Sequence, residues 1–584
     1  MGFRTLFLIA IAAWMIFGCT KKVENDNTLN VEMKSQIKGM DPINANDWYA
    51  AQVVSAVYET LYQYKYLKRP LEVEPLLAES MPVISKDGMT YTIKIKKGIK
   101  FADSDVFPGA KGRELTAKDV VFSWKRLADP ALQSEGFWVF DGKISGINEW
   151  RANVTKSAAN YGAPIEGLQT PDDYTLVIKL ARPYYQLIYQ LASPYTSVVA
   201  KEAVEKYGKE FLNHPVGTGP YVFNEWIRNS KLTFIRNPNY RGEKYPSEGT
   251  AEDAKDGLLA DAGQTMPFAD KVVFHEIIED QSRWLNFMKG QSDYVEVPKD
   301  NFANAVSGAQ LKAEFAAKGM KLRRDPDPDV TYIGFNMLDP VLGKNQMVRQ
   351  AMALAYDENT SLDKFYNGQA MNAQSPIPPG IEGYDAGYKN PYKEYNVSKA
   401  KEFLAKAGYP EGKGLPEFEY SIPTSSTERQ MGEYFAQQME KIGIKIKIAM
   451  TSWPQFTEKL KEKKTQLYGI AWVADYPDAE NFLGLLYGPN ESPGPNNSNY
   501  HNKDFDKLYD EAAKLPPGPK RTALYQKMRN VFASEMPWIS NLHRLHVQMS
   551  QGWLKNFKPN MVILNPWKYL RIDTEEKKQL KAKL

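Results

Sequence analysis

Residues 77–130 read LAESMPVISKDGMTYTIKIKKGIKFADSDVFPGAKGRELTAKDVVFSWKRLADP. Asp87-Gly88 is a hairpin-turn dipeptide, because glycine takes a positive φ without a Cβ clash. Thr90–Lys96 (TYTIKIK) then alternates apolar and polar residues with a period of two, the pattern of a half-buried strand. Farther on the period changes. Thr116 stands three residues before Asp119 in an approximate capping box, and Val120, Trp124 and Leu127 fall on one face of a helix. Strand and amphipathic helix within one stretch predict a mixed α/β layer.

The same signals recur along the chain. Tyr174–Leu180 and Ile444–Met450 alternate as strands, and helices are predicted between Ser398 as cap and Gly408 as stop, over Thr427–Ile442 and over Lys520–Phe532. No short-period repeat or low-complexity tract interrupts them, so the architecture reads as α/β with several sheets. At 584 residues the chain exceeds the roughly 250–300 residues at which one core stops growing, which implies two or three domains. Two stretches look inserted: 241–267, a Gly-, Asp- and Lys-rich surface loop, and 487–502 (YGPNESPGPNNSNYHN), which is irregular by composition.

The net charge is only +4, from 74 basic and 70 acidic residues, so no one-sign field points to nucleic acid. At the N-terminus, Arg4 precedes an apolar run, Leu6–Phe17, long enough for a signal-peptide core and too short to span a bilayer. Ile16-Phe17-Gly18-Cys19 follows, and Cys19 is the only cysteine. Residues 1–18 read as a lipoprotein signal peptide, Cys19 as the lipidation site and 19–27 as a lipidated polar tether. An ordinary signal peptide with an incidental cysteine is the other reading, since Phe17 is bulky for that slot. The mature chain then has no internal disulfide and no cysteine nucleophile or metal site. No other run approaches the length of a membrane helix, so the body is expected to be extracytoplasmic, soluble and held at the membrane through Cys19.

Catalytic constellations are missing. There is no phosphate-cradling glycine loop and no G-x-S-x-G elbow. The histidines, 214, 275, 501, 543 and 546, are scattered; His543 and His546 share a spacing that suits two ligands on one helical face, or two separate, partly buried side chains. A secreted hydrolase is the competing reading from another class, but nothing in the sequence supplies its machinery. No cofactor, metal or catalytic residue is expected.

Residues 77–130 resemble the segment that marks family 5 extracellular solute-binding proteins of ABC importers, the oligopeptide- and dipeptide-binding lipoproteins. Further matches follow in order: Met40-Asp41-Pro42 with Tyr58-Glu59-Thr60-Leu61, His214–Tyr221 (HPVGTGPY) with Asn237–Tyr240 (NPNY), Tyr332–Asn336 (YIGFN) with Val348–Ala351 (VRQA), and Trp472–Leu483 (WVADYPDAENFL). The glycines of GTGPY read as tight-turn residues before a strand starting at Tyr221. Asp475 sits at the carboxyl end of a short apolar strand, where open α/β sheets bind ligands.

The resemblance implies a bilobed periplasmic-binding-protein fold, with an extra domain inserted in the first lobe and a two-strand hinge. The expected divisions are lobe I at 28–70, 203–278 and 541–584, the inserted domain at 71–202, and lobe II at 279–540. It implies a monomer that closes over a peptide and delivers it to the transmembrane subunits of an ABC permease. Asp475 would pair with the peptide's ammonium group beside Trp472, and the backbone of Ala471 and Val473 would pair with peptide main chain. Asn46, Asp47 and Trp48 would contribute from lobe I, and Phe137 and Trp138 from the inserted domain. Gly469 stands where some members carry an arginine for the peptide carboxylate, which leaves an oligosaccharide, opine or nickel-chelate ligand as the alternative.

Overall fold

The computed structural model describes residues 27–45, 47–156 and 160–584. The expected leader, Cys19 and nearly all of the tether, together with Asn46, lie outside the described residues.

Strand β1 (Thr28–Met33) opens the first lobe and turns Leu29, Val31 and Met33 inward. Helix α1 (Trp48–Val57) follows. Next comes a four-stranded antiparallel sheet of β2 (Val83–Ile84), β3 (Thr90–Lys94), β4 (Leu168–Asp172) and β5 (Thr175–Lys179), in the order β2-β3-β5-β4. The turn between β2 and β3 is the predicted one: Gly88 has φ 73°, and Asp87 accepts from the Met89 N–H at 2.9 Å. Helix α2 (Ala117–Ala128) starts at the predicted capping box, with the Thr116 N–H donating to Asp119 at 2.8 Å. Strands β6 (Tyr221–Ile227), β7 (Lys231–Arg236) and β8 (Lys271–Glu276) then return to β1 in the order β1-β8-β7-β6, with β1 and β8 parallel.

The GTGPY glycines answer to close approach rather than to a left-handed turn. A Cβ on Gly217 would stand 2.2 Å from the carbonyl oxygen of Val57, and one on Gly219 2.5 Å from it. The loop lies directly on the C-terminal end of α1, and Tyr221 begins the strand as predicted.

The rest of the chain builds an eight-stranded sheet from β9 (Tyr294–Glu296), β10 (Lys321–Pro326), β11 (Asp329–Phe335), β12 (Ala370–Asn372), β13 (Phe418–Pro423), β14 (Ile446–Thr451), β15 (Leu467–Val473) and β16 (Trp538–Ser550). Its order is β9-β16-β11-β15-β13-β14, with β10 and β12 also on β16. Alternation along β11 sends Ile333 and Phe335 into the core on one face, Val330 and Tyr332 into that on the other. A strand buried on both faces needs helices over each. Gln346–Ala355 and Ser426–Glu440 cover the first face, and Pro519–Glu535 the second.

Strand β16 is 13 residues long and changes partners midway. Its first half pairs with β11 and β12, and its second half with β10 and β9. It runs unbroken through position 540/541. Segment 280–320 is tied to the first lobe's side of the molecule: Asp293 accepts from the Asn30 N–H at 2.6 Å and from the Trp553 indole at 2.7 Å. The two strands that cross between lobes are thus Pro326–Asp329 and Leu542–His546, the two-strand hinge of a bilobed fold.

Helix α2 is fastened to the segment before α1 by a buried ion pair. Arg126 of α2 binds both oxygens of Asp41, at 3.0 and 2.6 Å, and both side chains are nearly inaccessible. Removing one partner of such a pair strands the other charge in the interior. Asp41→Ala is expected to lower stability by about 3–5 kcal/mol, read as a fall in the urea midpoint, whereas Asp87→Ala at the exposed turn should shift it far less.

Candidate functional site

The site grows from the end of β15. Along this strand, residues 467–473 all pair with β11, but on the other side only Leu467 and Tyr468 meet β13. Residues 469–473 therefore present one edge that no described strand covers, an acceptor for an added extended chain. Ala471 and Val473 carry exposed side chains, and Ile470 and Trp472 are half-buried.

Beyond the strand the chain turns through Asp475 and is pinned. Asp478 is fully buried and accepts from Arg521 at 2.6 Å and from the Tyr525 hydroxyl at 2.8 Å. Glu480 accepts from the hydroxyls of Tyr476 and Tyr509. Asn481 then ties the site together: its Oδ1 accepts from the Trp472 indole (3.1 Å) and the Asp475 N–H (3.0 Å), while its Nδ2 donates to Asp475 Oδ2 at 2.9 Å. The Asp475 carboxylate reaches solvent yet is surrounded by protein, and this loss of water pushes its pKa up; Asn481 and the nearby Lys143 charge oppose the shift.

A cavity of about 390 Å³ brings Trp472, Asp475 and Asn481 together with Trp138, Lys143 and Arg182. Lys143 donates to the Trp138 carbonyl and lies 5.6 Å from that indole ring and 5.3 Å from the Tyr184 ring. Burial lowers its pKa from 10.5 to about 8, with the carboxylates of Asp141, Glu480 and Asp475 resisting.

The remaining expected residues are dispersed. Asp47 caps α1, accepting from the N–H groups of Tyr49 and Ala50 at 2.9 and 3.0 Å. Trp48 donates to the Met561 carbonyl and turns its ring toward His546 at the hinge, 6.4 Å away. Burial, with the charges of Glu135, Asp47 and Asp475, raises the pKa of Tyr195 to about 12. Its ring lies on Gly136, where a Cβ would be 2.2 Å away. Phe137 does not line the cavity and sits under the Arg151 guanidinium at 4.3 Å. The spacing of His543 and His546 is that of a strand rather than a helix. His543 is buried with Nδ1 at the Asp329 carbonyl, and His546 faces Asp327.

Sequence reasoning missed Lys143, Arg182, Asn481 and Tyr195. Only Asn481 carried a signal, six residues after Asp475 inside a segment already singled out. Gly469 has a steric cause: a Cβ there would lie 2.6 Å from the hydroxyl of the buried Tyr420. No long side chain fits while Tyr420 keeps its place.

The sequence profile described as "Bacterial extracellular solute-binding proteins, family 5 Middle" matches residues 72–494. The chain belongs to this family. As a family 5 solute-binding protein it is the extracytoplasmic binding component of an ABC importer. It is 27% identical over 500 residues to Heme-binding protein A of Haemophilus influenzae, covering 83% of this chain and 81% of that one. It is 26% identical over 541 residues to the glutathione-binding protein GsiB of Escherichia coli O6:K15:H31, covering 91% and 92%. The unliganded open form of MppA, a periplasmic murein tripeptide binding protein, superposes with a TM-score of 0.77 at 22% identity, covering 94% and 97%. Among the described residues no helix of this family 5 protein is long and apolar enough to cross a membrane, and no group of three or more His, Cys, Asp or Glu is placed to hold a metal.

Lys143 gives the site a measurable signature. Its folded pKa lies below the unfolded value, so the unfolded chain binds more protons between about pH 8 and 10.5, and this group alone makes stability rise with pH across that window. In lysine-labelled protein, NMR should show one lysine titrating near pH 8. Asp475→Asn should lower that midpoint further, because it removes a charge that favours the ammonium form.

Proposed function

We propose that the protein captures short peptides by their N-terminal ammonium group and hands them to the permease of its importer. The observation that carries this reading is the Asp475 carboxylate, accessible but poorly hydrated, at the end of a strand whose edge is free from Gly469 to Val473. A ligand ammonium would replace lost water with a charge-assisted bond. Peptide main chain laid along β15 would be held independently of its sequence. Trp472, Trp138 and Tyr195 would flank the ligand with aromatic surface, and Trp48 would meet it at the hinge.

Lys143 and Arg182 in the same cavity favour a ligand that also carries a carboxylate near its ammonium, which a neutral oligosaccharide lacks. That two of the similar proteins are named for glutathione and for a murein tripeptide supports small acidic peptides, and the heme-binding relative stands for another ligand class on the same fold.

Closure would turn on Pro326–Asp329 and Leu542–His546. Lobe II would then begin after Pro326 rather than at Glu279, with the inserted domain at 71–202 as expected. In the same reading the protein acts as a monomer, and Cys19 carries the lipid that keeps it at the membrane.

Calorimetry with a tripeptide and its N-acetylated counterpart tests the clamp. The free peptide is expected to bind, and the acetylated one more weakly by about 2–5 kcal/mol. Asp475→Asn should impose a similar loss while leaving the fold intact. Equal binding of both peptides, or full affinity in Asp475→Asn, sinks the ammonium-clamp reading.

A further inference from the structure

A second cavity, of about 600 Å³, lies outside the β15 site. Its walls are the hairpin of Tyr62–Tyr64 and Val73–Pro75 and the start of the 241–267 insertion. Tyr66 and Tyr569, stacked 4.2 Å apart, form part of its lining. The insertion is a fixed wall. Its Glu243 pairs with Lys568, its Asp253 with Lys558 at 2.6 Å and its Asp261 with Arg571 at 2.7 Å, all on the C-terminal segment. These anchors engage three of the insertion's carboxylates, and its Lys244 and Glu248 both line the cavity.

Three cations on this lining have no carboxylate at ion-pair distance among the described residues. Lys96 donates to the Leu76 carbonyl at 2.8 Å, and Lys244 to the Thr265 hydroxyl at 2.7 Å. Arg69 uses Nη1 on the carbonyls of Tyr66 and Lys68, at 3.2 and 2.9 Å, and its buried Nη2 has no partner. By contrast Lys65 and Lys68, on the same rim, are both paired to Glu72. An unsatisfied guanidinium N–H away from water is costly, and three unpaired cations around one space repel each other. Glu74, Glu243 and Glu248 share the lining; Glu243 is engaged by Lys568, and burial raises the pKa of Glu74.

We propose that this cavity binds a small oxyanion with two or more negative charges, a phosphate ester or a polycarboxylate, held by Arg69, Lys96 and Lys244. Arginine suits either group through its forked N–H donors, and the volume falls within the ordinary range for small-molecule sites, roughly 300–1,000 Å³. Such an anion would fix the hairpin, whose Leu71 N–H reaches across to the Gly380 carbonyl at 3.3 Å. It would thereby brace one contact between the first lobe and the loop at Gly380.

Titration calorimetry of the full chain in 0.15 M salt, with pyrophosphate and with citrate, tests this. Saturable one-site binding of at least one probe is expected, and the preferred probe tells phosphate from carboxylate chemistry. Arg69→Gln and Lys244→Gln should each weaken it at least tenfold, while Asp475→Asn leaves it unchanged. Lys244 is exposed, so its variant decides the matter should Arg69→Gln disturb the fold. No saturable binding of either probe, unchanged affinity in Lys244→Gln, or loss of binding in Asp475→Asn overturns the proposal.

Discussion

Both lobes hang from one pair of antiparallel strands, and that pair closes around a buried carboxylate. Asp329 is inaccessible; it accepts from the Arg544 N–H at 2.9 Å and from the Arg544 guanidinium, while its carbonyl meets His543. Asp325 and Asp327 stand at alternate positions just before it. Burial raises all three carboxyls, and Asp327, with Asp329 as its chief like-charged neighbour, is pushed to about 7. A hinge made of apolar strand would hide its surface in either lobe's core. A polar crossing cannot be absorbed that way, which keeps the break between cores at one place.

The chain after β15 separates two jobs that carboxylates do. Asp478 is saturated by Arg521 and Tyr525, so it holds the loop and has nothing left to offer a ligand. Three residues earlier, Asp475 has only the amide of Asn481 and its distance-weakened attraction to Lys143. The first carboxylate costs nothing further to keep dry, whereas the second is held short of partners at the surface of a recess. Such under-satisfied groups on a rigid frame are where binding free energy is available.

The elements legible in sequence are those whose burial is one-sided. Thr90–Lys94 shows a buried-exposed alternation because one face meets the core and the other meets water. Strand β16 shows no such alternation for the opposite reason: its ends are buried on both faces and its middle is polar and half-buried. The cap of helix Val397–Lys406 is Asn396 rather than Ser398, with Asn396 accepting from the Lys399 N–H at 2.9 Å. Two good cap residues in one window leave a boundary undecided until tertiary packing chooses. The 487–502 segment, irregular by composition, is irregular in the fold but packed, with Asn496 and Ser498 fully buried and hydrogen-bonded. Composition spoke to its backbone and could not speak to its burial.

The site was half-legible by the same logic. Asp475, Trp472 and Asn481 lie within ten residues on one turn, so a local segment contains them. Lys143 and Arg182 line the same cavity from a distant part of the chain, and nothing near them in sequence separates them from the many surface cations. Gly469 shows why the local reading stopped where it did. Tyr420 occupies the space a side chain at 469 would need, so that position of β15 has no room for a cation while Tyr420 keeps its place. The positive groups that share the cavity with Asp475, Lys143 and Arg182, come instead from a distant part of the chain. The cations and the acid that meet there lie far apart in the chain, so the fold and not the local sequence assembles the cavity.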